Sequence, residues 1–80
     1  PQTIISYQIP FESKVSLRIY NLVGQLMDIL ADEIQTPGYK MAFWNAENVP
    51  SGVYFYVLEA TKVTQPSRHF YNVRKMFLVR

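Results

Sequence analysis

Apolar and polar side chains alternate with a period of two through much of this chain, the spacing of strands that bury one face. The clearest stretch is 14–20, where Val15, Leu17 and Ile19 alternate with Ser16, Arg18 and Tyr20. Residues 3–9 set Ile5, Tyr7 and Ile9 against Ile4, Ser6 and Gln8 and stop at Pro10. Residues 53–60 place Tyr54, Tyr56 and Leu58 on one face, and 70–80 form a last strand with Met76 and Leu78 inward. Residues 38–44 are apolar on both faces, with Tyr39, Met41 and Phe43 on one and Ala42 and Trp44 on the other.

Turn chemistry separates these runs. Asn21-Leu22-Val23-Gly24 reads as a hairpin turn with Gly24 at positive φ. Gln35-Thr36-Pro37-Gly38 is a second break, 45–52 a loop ending in Pro50-Ser51-Gly52, and 61–69 a polar excursion containing Pro66. Residues 25–33 are ambiguous, because Leu26, Met27, Ile29, Leu30 and Ile34 have spacings that suit a helix as well as a strand. The tight turn before this stretch and its brevity select a strand, since so short a helix is marginal. A bulge near Asp28 then lets Met27 and Leu30 both point inward. Six or seven strands at intervals of about 8–12 residues predict an all-β, Ig-like antiparallel sandwich. Val15, Leu17, Ile19, Tyr54, Tyr56, Leu58, Met76 and Leu78 are its expected inward positions.

Length and composition narrow this picture. Eighty residues are expected to form one domain, 1–80, with a modest core and no room for a deep cleft. The chain starts at Pro1 with no signal peptide and reads as a segment cut from a longer protein. No apolar run approaches the roughly 18 residues that span a bilayer. Cysteine is absent, which excludes disulfides and thiolate zinc sites and suits an exported or a cytosolic protein equally. Charge is unevenly placed. Residues 1–60 carry a net −3, whereas 61–80 hold Lys62, Arg68, Arg74, Lys75 and Arg80 with no acid.

The side chains offer no catalytic, metal or cofactor constellation. His69 is the only histidine, without a carboxylate close in sequence, and reads as an exposed loop residue. Asp32 and Glu33 are adjacent and face opposite ways on a strand. Ser13, Ser16 and Ser51 lack a base, and Gly24, Gly38 and Gly52 are isolated turn glycines. The chain therefore reads as a non-enzyme. The basic end, with Phe70, Tyr71 and Phe77 nearby, reads as the solvated face of a strand rather than a nucleic-acid site. Trp44, Tyr54, Tyr56 and Leu58 read as core rather than as the aromatic platform of a carbohydrate-binding module.

Several motifs, in order, carry a resemblance. Thr3-Ile4-Ile5-Ser6-Tyr7-Gln8-Ile9-Pro10 and the run from Val15 through Tyr20-Asn21 to Gly24 resemble the opening of type A C-terminal sorting domains of the type IX secretion system. Those read Thr-x-Ile-x-Tyr-x-Leu-Pro, then Val-x-Leu-x-Val-Tyr-Asp-x-x-Gly. Pro37-Gly38-Tyr39-Lys40, Trp44-Asn45-Ala46 and Pro50-Ser51-Gly52-Val53-Tyr54-Phe55-Tyr56 resemble later elements of the family. Lys75, Met76, Leu78 and Arg80 resemble its Lys-Met-x-Leu-x-Arg terminus. The fold also resembles the Ig-like domain of flagellar hook-capping proteins. Two departures stand out: 61–73 is longer than the usual last hairpin, and the Asn-Pro-Phe-Asn stretch before the first strand is absent.

The resemblance implies a secreted or cell-surface module that addresses its parent, via the periplasm, to outer-membrane secretion machinery. It implies partner recognition at Arg74, Lys75 and Arg80, by strand addition or by charge. No nucleic-acid partner and no membrane span are expected. The structural alternative is an Ig-like spacer that packs on a neighbouring domain through Tyr39, Met41, Phe43, Phe55 and Val57, an apolar second face that free monomers rarely show.

Overall fold

The computed structural model describes residues 2–79, and these form six strands without a helix. In chain order they are β1 (Gln2–Ile9), β2 (Ser13–Asn21), β3 (Leu26–Gln35), β4 (Gly38–Asn45), β5 (Gly52–Lys62) and β6 (His69–Leu78). The small sheet pairs β1 with β4, the large one has the order β3-β2-β5-β6, and every pairing is antiparallel. The two sheets pack as the expected sandwich.

The core lies where the alternation puts it. Val15, Leu17 and Ile19 of β2 are fully buried, and Tyr54, Leu58 and Ala60 of β5 and Leu78 of β6 join them. The small sheet contributes Ile5, Ile9 and Trp44, and Ala46 seals the end of β4. Tyr56 and Met76 pack against this cluster half-buried. Across the sandwich the Trp44 and Tyr54 rings meet edge-on at 5.3 Å, a favourable aromatic geometry. The Tyr54 hydroxyl donates to the Pro50 carbonyl at 2.7 Å, tying the Pro-Ser-Gly turn to the strand it starts. A second tie runs between sheets, from the Tyr7 hydroxyl to Gln35 Oε1 at 2.9 Å.

β3 departs from expectation. Its register with β2 breaks twice, between Leu17 and Arg18 and between Ile19 and Tyr20, which leaves Leu30 and Met27 as the extra residues. Each bulge shifts which side chains face inward. Leu30 packs against the core, but Met27 remains 39% exposed. The expected inward position of Met27 is therefore corrected: two bulges, not one, return it to solvent.

The β2–β3 turn is built by its side chains. Asn21 Oδ1 accepts from the Val23 and Gln25 amides at 3.1 and 2.9 Å, and the Gly24 amide donates to the Asn21 carbonyl at 3.0 Å. Gly24 sits at φ 84 with nothing within 4 Å of an added Cβ, so substitution there meets only backbone strain. Gly24→Ala is expected to cost about 1–2 kcal/mol. Thermal unfolding should show a Tm lower by roughly 4–16 °C.

The polar excursion is shorter than the sequence suggests, because β5 runs to Lys62 and β6 begins at His69. Backbone bonds from Lys62 N to Arg68 O, Gln65 N to Lys62 O and Arg68 N to Gln65 O close the connection. Lys62 and Arg68 both lie over the Phe11 ring, at 4.9 and 5.6 Å, and clamp this connection onto the β1–β2 loop.

Candidate recognition surface

β6 is the outermost strand of the large sheet and carries the basic end of the molecule. Its register with β5 is unbroken: Tyr56 lies opposite Arg74, Phe55 opposite Lys75 and Tyr54 opposite Met76. Strand geometry then fixes the faces. Tyr54, Met76 and Leu78 turn toward the core, so Lys75 turns outward and Arg74 inward. Both cations are exposed, Lys75 on the outer face and Arg74 because the two-stranded small sheet does not reach over that part of the inner side of β6. The Lys75 ammonium lies 5.4 Å from the Phe77 ring on its own face. Arg80 lies outside the described residues.

The apolar positions read together from sequence do not form one patch. Tyr39, Met41 and Phe43 lie on the outer face of the small sheet, where Phe43 pairs with Ile4, Met41 with Ser6 and Tyr39 with Gln8. Phe55 and Val57 lie on the outer face of the large sheet, half-buried among their neighbours. The sandwich thus puts the two groups on opposite sides of the molecule. One strand belongs to each sheet, and strand alternation cannot tell to which sheet a face belongs.

Each side gains members that the sequence reading omitted. Ile4 completes the small sheet's outer stripe. On the large sheet one row runs Leu26, Tyr20, Phe55, Lys75 and the next Ile29, Arg18, Val57, Val73. The outward position of Tyr20 was readable from alternation in β2, whereas the bulges concealed those of Leu26 and Ile29. Lys75 thus stands at the margin of an apolar outer surface, beside Phe55.

Pairing also changes the surroundings of His69. It begins β6 rather than lying in a loop, and its register partner Thr61 brings Oγ1 within 2.9 Å of Nδ1. Glu59, two residues from Thr61 along β5 and so on the same face, places Oε2 3.8 Å from Nε2. This row of three is open to solvent on the outer sheet surface, where it fastens β5 to β6. The aromatic platform is excluded by burial, since Trp44 and Tyr54 are 2% and 5% exposed.

A family model described as the secretion system C-terminal sorting domain matches residues 2–70. No curated protein and no solved structure matches the chain. The matched span runs from β1 to the second residue of β6, so Arg74, Lys75 and Arg80 lie beyond it.

Proposed function

Because the chain belongs to the family of secretion system C-terminal sorting domains, we propose that it is a non-catalytic module that directs its parent protein through the type IX system to the cell surface or exterior. The family match across β1 to β5 carries this reading. The fold supports it physically: the motif residues Ile5, Ile9, Val15, Leu17, Ile19, Trp44, Ala46 and Tyr54 are all buried. They build a shape, and an address needs a stable shape with a displayed surface. The implied partners are the outer-membrane secretion machinery and the neighbouring domain of the parent.

Deleting the domain from its parent separates sorting from a purely structural role. Lost export of an otherwise stable parent is the expected result. Normal export of a destabilised parent would overturn it in favour of the spacer, whose packing face would be the exposed outer stripe of Ile4, Tyr39, Met41 and Phe43.

Within this role, recognition is assigned to Arg74, Lys75 and Arg80, the cations on and beyond the edge strand. The double variant K75A/R80A should keep its Tm nearly unchanged, because exposed charges contribute little to folding. It should nonetheless cut export sharply. Normal export by the folded double variant would move recognition elsewhere on the domain.

A further inference from the structure

We propose that the free edge of β6 receives an extended acidic segment of a partner protein as a fifth strand of the large sheet, with two consecutive carboxylates meeting Arg74 and Lys75 from opposite faces. This deepens the sorting reading and rests on it for the identity of the event, though not for the geometry.

The edge is open and regular. Among the described residues β6 pairs with β5 alone, over ten residues without a register break or a proline. Natural edge strands are usually short, bulged, covered or guarded by charge, because an unpaired row of N–H and C=O groups is a template for another strand, and on β6 the guard is Arg74 and Lys75 alone. Exposed apolar side chains flank that row on both faces, Val73 and Phe77 on the outer and Phe70 on the inner, where Asn72 and Arg74 add polar groups. The inner side has space as well. The small sheet stops short of β6 and leaves an open cleft of about 340 Å³ between Tyr7 of β1 and Tyr56, Leu58, Phe70, Asn72 and Arg74. Side chains of an added strand that point inward would enter it.

Charge selects the occupant. Arg74 and Lys75 are neighbours in sequence, so the pleat sends one guanidinium to the inner face and one ammonium to the outer. Neither forms an ion pair among the described residues, and residues 61–80 contain no acid. A second copy docking edge to edge would bring like charges together, which is costly across an interface. A partner strand with two consecutive acidic residues instead presents one carboxylate to each face. Arg74 accommodates its carboxylate bidentately, and Lys75 meets the other as a point charge. Main-chain bonds supply affinity in such strand addition, and the alternating side chains supply specificity.

The test uses the 80-residue chain and two capped peptides, Thr-Ile-Thr-Val-Asp-Glu-Val-Thr-Thr and its Asn-Gln counterpart. The Asp-Glu peptide should slow exchange of the β6 amides that point away from β5, and should bind at least about tenfold more tightly than the Asn-Gln peptide at low salt. The variant R74E/K75E, checked for an unchanged circular dichroism spectrum, should lose this binding and regain it with a Lys-Lys peptide. That charge swap cannot be mimicked by a folding defect. Four results would overturn the proposal: no protection of β6 at any soluble peptide concentration, equal binding of the two peptides, protection confined to the β1 or β3 edge, or self-association through β6. The sorting reading fails separately. Export without β6 protection removes only this mode of recognition, whereas strand binding with no export removes the sorting role.

Discussion

Replacing Leu17 by alanine is expected to remove about 3–5 kcal/mol of stability, the upper part of the range for a buried leucine. Leu17 is fully buried on β2, an interior strand of the large sheet, with Ala31 of β3 and Leu58 of β5 as its register neighbours. Hydrogen-bonded strands on both sides hold its backbone, so the cavity cannot close by local collapse, and the lost contacts add to the lost transfer energy. A domain of this size has only about 5–8 kcal/mol in total, so one such cavity removes roughly 40% of it or more. Urea unfolding should show a midpoint well below that of the parent chain at an unchanged m value. Tyr39→Ala, at a side chain 85% exposed on the small sheet, is the control and should be close to neutral. A loss under about 1 kcal/mol for Leu17→Ala would mean that β2 does not form the centre of the core.

What the sequence revealed depended on whether local pattern and long-range pairing gave the same information. β2 was legible because Val15, Leu17 and Ile19 alternate without interruption and are buried without exception. The Asn21–Gly24 turn was legible because its chemistry is local, with the Asn21 carboxamide accepting amides two and four residues on. β3 was less so. Two extra residues in one edge strand shift the alternation twice, and a sequence scan sees the result as helix-like spacing.

Recognition residues were legible only in part. Alternation separated Lys75 from Met76 and Leu78, and unpaired positive charge was visible in composition. That the inner face around Arg74 stays open was not, because it follows from a sheet of two strands facing a sheet of four. For the same reason Tyr39, Met41 and Phe43 were grouped with Phe55 and Val57, although the strands that bear them belong to different sheets. The Glu59–His69–Thr61 row was hidden too, since the β5–β6 register alone brings Glu59 near His69.

The largest functional effect is expected when the domain is moved rather than altered. A sandwich with its own core, and a family match that begins at β1, give the chain what a transferable address requires. A reporter enzyme that normally stops in the periplasm should therefore acquire export when residues 1–80 are fused to its C-terminus. The L17A fusion supplies the internal check, because an address that is read as a folded surface should fail as the core fails. The most direct measurement is the surface-exposed and released fraction of that reporter in a type IX-competent strain, behind a signal peptide and beside a fusion to a known sorting domain. Most of the reporter outside the cell, and loss of that export in a strain lacking the translocon, is the predicted result. Retention in the periplasm while the known sorting domain exports the same reporter would contradict the sorting role.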